Sequence, residues 1–122
     1  MSYLALVTNN FDEVSHFYET SLGFPIVERW DREHGRGHRF DIGGMRLEIL
    51  DNARERHPLW VFYPSERFQI VVEVSDIEAA HERIAVSAPK PEATSWGATL
   101  FQVRDPDGVP VTFLQWNEGG AA

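Results

Sequence analysis

Residues 3–18 read YLALVTNNFDEVSHFY, and residues 69–84 read QIVVEVSDIEAAHERI. In each stretch, about six residues of strand character are followed by a polar capping position and an amphipathic helical pattern. A second pair of segments, MRLEIL at 45–50 and VPVTFL at 109–114, recurs at nearly the same spacing. Because self-similarity at a fixed spacing indicates repeated structural units, we predict two copies of one unit with a cleft between them.

Each copy is predicted to consist of a strand, a helix and three further strands, so the fold class is α+β with a βαβββ unit repeated twice. The 122 residues are enough for one domain. Its predicted parts are a first unit at 1–51, a linker at 52–66, a second unit at 67–116 and a tail at 117–122.

Local signals predict where the two helices begin and end. Asn10 with Glu13, and Ser75 with Glu78, have the spacing of capping boxes. Gly23 stands where a left-handed residue commonly ends a helix. These signals predict helices that follow the first strand of each unit.

Turn signals divide the remaining strands. The polar stretch DREHGRG at 31–37 is predicted to be a turn between strands at 24–30 and 38–42. Gly43-Gly44 predicts a tight hairpin, and DPDG at 105–108 predicts another turn. The two units therefore contribute eight predicted strands.

Alternation along the strands predicts which face of each sheet packs under the helices. Leu47 and Ile49 in the fourth strand alternate with Glu48, and Val111 and Phe113 in the eighth alternate with Thr112. The apolar set is expected to pack against the helices. The mixed set is expected to face the cleft.

Composition excludes several classes of protein. The net charge of −8 argues against nucleic-acid binding, which requires a basic face. The absence of Cys excludes disulfides, thiol catalysis and thiolate metal sites. The opening MSYLALV has no basic segment, and no apolar run approaches the roughly 20 residues that span a membrane. We therefore expect a cytoplasmic protein without a membrane partner.

Four segments together resemble the vicinal-oxygen-chelate superfamily, which includes glyoxalase I, extradiol dioxygenases and bleomycin-resistance proteins. They are NNFDEVSHFYETSLGF at 9–24, RLEIL at 46–50, SWG at 95–97 and RDPDGVPVTFL at 104–114. The resemblance implies two βαβββ units that form an eight-stranded cleft, often completed by dimerisation with exchanged units.

The resemblance also implies four metal-ligand positions, one each on the first, fourth, fifth and eighth strands. In this chain those positions hold Tyr3, Glu48, Gln69 and Thr112. Only Glu48 matches the usual carboxylate, and Tyr3 and Thr112 are poor ligands for Zn²⁺, Ni²⁺, Mn²⁺ or Fe²⁺. The set is therefore interpreted as a degenerate site, and no cofactor is expected.

The leading interpretation is a protein of the bleomycin-resistance kind that holds a small, planar or cationic organic ligand in the cleft. Trp96 and Trp116 would stack on the ligand, and Glu48 would supply charge. The complete set of predicted ligand-binding residues is Tyr3, Arg39, Asp41, Glu48, Gln69, Trp96, Gln102, Thr112 and Trp116. For Glu48 the alternative is an ion pair with Arg39 or Arg46.

The alternative function is a metal-dependent lyase, isomerase or dioxygenase of the same superfamily, with Glu48 as the best catalytic candidate. A variant of this alternative drops the metal and uses Glu48 as general base. No nucleophile–base pair is identified in the sequence. A homodimer is expected because two four-stranded units leave open edges, and the apolar stretch LWVFY at 59–63 is a candidate contact.

Overall fold

The computed structural model describes residues 2–61 and 67–118. In the first unit α1 continues into a π-helical turn at Phe17–Ser21, and a short 3₁₀ turn at Asn52–Arg54 follows the last strand. The elements of this unit are β1 (Tyr3–Thr8), α1 (Phe11–His16), β2 (Ile26–Arg32), β3 (Gly35–Asp41) and β4 (Arg46–Asp51).

The second unit repeats the same order of elements with a shorter first and second strand. Its elements are β5 (Ile70–Glu73), α2 (Ile77–Arg83), β6 (Glu92–Ala93), β7 (Ala98–Arg104) and β8 (Pro110–Trp116). The predicted order of strand, helix and three strands is therefore confirmed in both units. Within the described residues, neither helix has the length and apolarity to cross a membrane.

The two sheets have the same topology. Their strand orders are β1-β4-β3-β2 and β5-β8-β7-β6. In each sheet the first strand pairs in parallel with the last, and the remaining pairs are antiparallel. β1 and β5 thus lie at equivalent sheet edges, as expected for two copies of one unit.

One hydrophobic core joins the helix-facing sides of both sheets. Leu47 and Ile49 of β4 and Val111 and Phe113 of β8 are at most 1% exposed and belong to the same buried cluster. The Phe24 ring from the first unit stacks on Phe113, with centroids 6.1 Å apart. The predicted inward faces are confirmed, and the opposite face of each sheet is turned away from this core.

A buried hydrogen bond ties the first helix to the turn between β7 and β8. The Tyr18 hydroxyl donates to Asp105 Oδ2 at 2.7 Å, and both residues are at most 5% exposed. Asp105 Oδ1 accepts the backbone N–H groups of Asp107 and Val109, each at 2.9 Å. The DPDG sequence thus forms the predicted turn and also joins the two units.

The predicted capping boxes are wrong in detail. The Asn10 side chain does not cap α1; its Nδ2 donates to Asp107 Oδ1 at 3.1 Å, across to the other unit. In the second unit the cap is Asp76, one residue after Ser75, and its Oδ1 accepts the Ala79 N–H at 3.1 Å. Asp76 has the extended backbone that a cap requires, and its carboxylate reaches the third helical residue.

The predicted turn at 31–37 is also too long. β2 and β3 pair as far as Arg32 and Gly35, so the turn itself lies at Glu33 and His34. The charged residues of this stretch suggested a loop, but an edge hairpin with exposed faces accommodates polar side chains in regular strands. This register places Trp30 opposite Gly37.

The start of the linker is held by one buried side chain. Asn52 is 5% exposed, and its Nδ2 donates to Asn9 Oδ1 and to the Leu59 carbonyl, both at 2.8 Å. Its Oδ1 accepts the Leu59 N–H at 2.8 Å. Leu59 and Trp60 are exposed. The other end of the LWVFY stretch, residues 62 and 63, and tail residues 119–122 lie outside the described residues.

Candidate functional site

The face of the first sheet turned away from the core is centred on an ion pair between neighbouring strands. Arg39 on β3 is directly opposite Glu48 on β4. Arg39 Nε donates to Glu48 Oε2 at 2.9 Å, and Arg39 Nη2 donates to the same oxygen. Glu48 is only 5% exposed. The carboxylate predicted to bind a cation is therefore already engaged by a cation of the protein.

Two aromatic rings flank the Arg39 guanidinium. Its central carbon lies 5.0 Å from the centre of the Tyr3 ring and 5.7 Å from that of Trp30, within cation–π range. Trp30 rests on Gly37, where a methyl group would lie 2.7 Å from Trp30 Cε2. Glycine at position 37 therefore allows the indole to lie against the strand beside Arg39.

Asp41 lies at the end of β3 and has a local role. Its Oδ1 accepts the Gly43 N–H at 2.9 Å, within the Gly43-Gly44 hairpin. Both glycines have positive φ angles, 92° and 83°, which residues with side chains rarely adopt. The Asp41 carboxylate thus stabilises the turn and lies at the exposed end of this face.

The corresponding face of the second sheet carries a network of amides and a hydroxyl. The Thr112 hydroxyl donates to Gln69 Oε1 at 2.5 Å, and Gln102 Nε2 donates to Thr112 Oγ1 at 3.0 Å. Gln102 Nε2 also lies 3.5 Å from Gln69 Oε1. Three of the predicted ligand-binding residues are therefore brought together on one face.

Trp96 and Trp116 contact each other at one end of the second sheet. Their ring centroids are 5.5 Å apart, with the ring planes at 65°. Trp116 Nε1 donates to Glu73 Oε1 at 2.9 Å, and Trp96 remains 53% exposed. The pair offers an edge-to-face aromatic surface rather than two parallel walls for a planar ligand.

A hollow of about 330 Å³ opens beside Gln69 and Gln102. The other described residues that line it are Arg67, Phe68, Arg104 and Pro110. Arg67, Phe68 and Arg104 were not among the predicted ligand-binding residues, and neither was Trp30 of the first sheet. For Arg104 the available signal was its position two residues after Gln102 on the same strand, which gives both side chains the same face.

The four positions implied for metal ligands do not form a metal-binding set. Glu48 is paired with Arg39, whose positive charge would repel a divalent cation. The Thr112 hydroxyl donates a hydrogen bond to Gln69 Oε1, and the Tyr3 ring lies within cation–π range of Arg39. Over residues 2–61 and 67–118, no three His, Asp or Glu side chains cluster as candidate ligands. This donor chemistry does not fit Zn²⁺, Ni²⁺, Mn²⁺ or Fe²⁺.

The structure brings together one Ser–His pair that the sequence did not reveal. Ser15 Oγ on α1 lies 2.5 Å from His38 Nδ1 on β3. Ser15 is only 4% exposed and lies on the core side of the sheet, where the His38 ring packs edge-on against Phe11 at 4.9 Å. A serine buried in this way is inaccessible to a substrate, so the pair is assigned a packing role.

Burial lowers the pKa of His38 below its ordinary value of 6.5, and the nearby charges of Arg29 and Arg36 lower it further. The unfolded chain therefore takes up this proton at a higher pH than the folded protein does. The stability that depends on a neutral His38 should be present above about pH 6.5 and be lost as the pH falls through the folded-state pKa. An NMR titration of the His38 ring should show a midpoint below 6.5.

Arg29→Gln tests the electrostatic part of this shift. Removing the positive charge should move the His38 midpoint upward, while Arg83→Gln on α2 should leave it unchanged. A midpoint at or above 6.5 in the unmodified protein would contradict the prediction.

Comparison with known proteins identifies related sequences and folds. A family model described as the Glyoxalase/Bleomycin resistance protein/Dioxygenase superfamily matches residues 1–113. No curated protein matches the chain. Among solved structures, a glyoxalase/bleomycin resistance protein/dioxygenase from Nocardioides is 27% identical with a TM-score of 0.75. That match covers 98% of this chain and 84% of the other.

Two more distant structures share the fold. TnmS3, an antibiotic binding protein from Streptomyces sp. CB03234, is 19% identical with a TM-score of 0.66, covering 96% of this chain and 98% of that one. A glyoxylase/bleomycin resistance protein/dioxygenase domain from Frankia sp. EAN1pec is 13% identical with a TM-score of 0.70. It covers 98% of this chain and 93% of that one.

Proposed function

The chain belongs to the glyoxalase/bleomycin resistance protein/dioxygenase superfamily, and from this premise we propose that it binds a small organic molecule without a complete metal site. The observation that carries the proposal is the Arg39–Glu48 ion pair, which occupies the only carboxylate among the four implied ligand positions. TnmS3, which shares the fold, is described as an antibiotic binding protein.

The two outward faces supply complementary binding groups. The first has the flat surfaces of Tyr3 and Trp30 on either side of Arg39. The second has the network of Gln69, Gln102 and Thr112. Binding sites of this kind combine apolar or aromatic walls with a few placed polar groups. Recognition then requires shape and hydrogen bonding, with no bond made or broken.

The proposed cleft is formed between two copies of the chain. Within one chain the helix-facing sides of both sheets share a core, so their other faces turn outward. Those faces carry exposed apolar side chains, including Tyr3 at 51% and Val71 at 45%. β1 and β5 also lie at sheet edges, and unpaired edges are commonly covered by another chain. A homodimer would cover these groups and would place the outward face of the first sheet of one copy against the outward face of the second sheet of the other copy.

Metal stoichiometry tests the absence of a metal site. The purified protein is stripped, offered Mn²⁺, Fe²⁺, Ni²⁺ and Zn²⁺ in turn, desalted and analysed by elemental mass spectrometry. We expect no metal to be retained near one per chain. A stoichiometric metal that is lost in Glu48→Ala would overturn the proposal and support the metal-dependent lyase, isomerase or dioxygenase instead.

Sedimentation velocity tests the dimer. The unmodified protein should sediment as a dimer at micromolar concentration, and Val71→Arg should convert it to a monomer by placing a charge on the covered face. Val27→Arg is the matched control, because Val27 is 41% exposed but lies on β2, at the opposite edge of its sheet from β1. If the unmodified protein sedimented as a monomer, the proposal of a cleft formed between two copies would be wrong.

A further inference from the structure

Another hollow opens where the two units meet, and we call it the junction hollow. Its volume is about 240 Å³, which is the liquid volume of about eight water molecules. Four of the described residues that line it are apolar and at most 5% exposed, namely Leu22, Ile42, Val72 and Phe113. These buried side chains give the hollow an apolar floor, and its size suits a molecule with a small apolar body.

Three charged side chains also line the junction hollow. Asp41 is the last residue of β3, Glu73 is the last residue of β5, and Arg83 is the last residue of α2. All three residues are exposed, whereas the floor is buried. The hollow is therefore apolar at its base and charged at its mouth, with charges of both signs.

None of these three charges is neutralised by a neighbouring side chain. Within residues 2–61 and 67–118, no ion pair includes Asp41, Glu73 or Arg83. Asp41 Oδ1 accepts the Gly43 N–H, and Glu73 Oε1 accepts the indole N–H of Trp116. Each carboxylate therefore keeps its second oxygen for a donor from outside the described residues.

The walls of the junction hollow are held together by hydrogen bonds of the backbone. The Ala85 N–H donates to the Ser21 carbonyl at 2.8 Å, which ties the chain just after α2 to the π-helical turn of the first unit. The Asp41 N–H donates to the Pro25 carbonyl at 3.0 Å. Because these contacts exist before a ligand arrives, binding requires little ordering of the main chain.

We propose that the junction hollow binds a small apolar α-amino acid. Its ammonium group would bind Asp41 and Glu73, its carboxylate would bind Arg83, and its side chain would lie on the apolar floor. A plain amine would be repelled by the arginine and a plain carboxylate by the two acids, so a zwitterion suits this set of charges better than either. The guanidinium also matches a carboxylate in shape. This site is separate from the cleft between two copies and does not require a dimer.

Three probes that share an isobutyl group separate the two charges from the apolar body. They are L-leucine, 3-methylbutylamine, which lacks the carboxylate, and 4-methylpentanoate, which lacks the ammonium group. Binding is followed by the amide NMR shifts of Gly23, Gly43 and Val74. We expect leucine to bind about three- to tenfold more tightly than either of the other probes, since exposed charges each contribute modestly.

Variants assign each charge of the ligand to its partner. Arg83→Gln should weaken leucine binding about three- to tenfold and tighten that of 3-methylbutylamine, because the repulsion is gone. Glu73→Gln keeps an oxygen for Trp116, and it should weaken leucine binding similarly while tightening that of 4-methylpentanoate. Arg32→Gln and Glu78→Gln are the matched controls and should change neither, and thermal unfolding confirms that each variant is folded.

Three results would overturn the amino-acid site. They are binding of either single-charge probe as tightly as leucine, unchanged leucine binding in both glutamine variants, and no shift of the three amides at millimolar leucine. The cleft between two copies stands or falls separately, because its proposed binding groups lie on the outward faces of the sheets.

Discussion

Asp105→Ala is expected to lower the free energy of unfolding by about 3–5 kcal/mol. The substitution removes the acceptor of three hydrogen bonds, from the Tyr18 hydroxyl and from the N–H groups of Asp107 and Val109. It also leaves the Tyr18 hydroxyl, which is fully buried, without its partner. Since small domains have a total stability of roughly 5–15 kcal/mol, the loss should be visible as a large fall in the urea midpoint.

Two further variants apportion this effect. Asp107→Ala alters the same turn at a more exposed carboxylate and should cost less than about 1 kcal/mol. Tyr18→Phe removes only the hydrogen bond from the Tyr18 hydroxyl to Asp105 and should cost about 1–2 kcal/mol. If Asp105→Ala were no more destabilising than Asp107→Ala, the assigned role of the buried carboxylate would be wrong.

The same bond has a consequence at alkaline pH. Burial, and then the charge of Asp105, raises the pKa of Tyr18 far above its ordinary value of 10.0. The folded protein therefore keeps the phenol protonated where the unfolded chain ionises it. Stability from this group is present below pH 10.0 and is lost progressively above it. Tyr18→Phe should flatten that alkaline decline.

Arg39→Met is expected to lower the thermal unfolding midpoint by roughly 10 °C. Arg39 itself is partly solvated, but its removal leaves the Glu48 carboxylate buried at 5% exposure without a counter-charge. Glu48→Leu should lower the unfolding midpoint less, because the Arg39 guanidinium, once released from Glu48, can be solvated beside its aromatic neighbours. The effect is thus expected to be asymmetric between the two partners.

The double variant Arg39→Met with Glu48→Leu should recover most of the lost midpoint, since it removes both charges at once. Arg46→Met, two residues before Glu48 on β4, is the control and should shift the midpoint by only about 2 °C. A double variant no more stable than Arg39→Met alone would contradict a destabilising unpaired Glu48.

Much of the architecture was predictable because it depends on short-range patterns. Period-two alternation identified the faces of β4 and β8, and left-handed glycines marked the end of the first helix and the β3–β4 hairpin. The helix caps were less predictable, because Ser75 and Asp76 both have capping chemistry and backbone geometry selects between them. The β2–β3 hairpin was misread because polar residues occur in exposed edge strands as well as in turns.

The candidate site was likewise predictable only in part. Sequence periodicity assigned Glu48 and Thr112 to the faces of their strands opposite the helices. It left the partner of Glu48 open between Arg39 and Arg46. The pairing of Arg39 with Glu48 follows from the β3–β4 register, which depends on how the whole hairpin closes.

The sequence by itself determined the repeated βαβββ unit, its buried faces and its family, because these are written as local periodicity and short motifs. Only the tertiary structure decided that Trp30 lies beside Arg39, that Tyr18 meets Asp105 and that Ser15 meets His38. Trp30 and Arg39 lie on adjacent strands of one hairpin, so the strand register brings them together. The other two pairs are farther apart in the chain, and their contacts arise from the packing of the helices and of the two units on one core. A local pattern specifies which face a side chain takes, and the assembled sheets specify what it meets there.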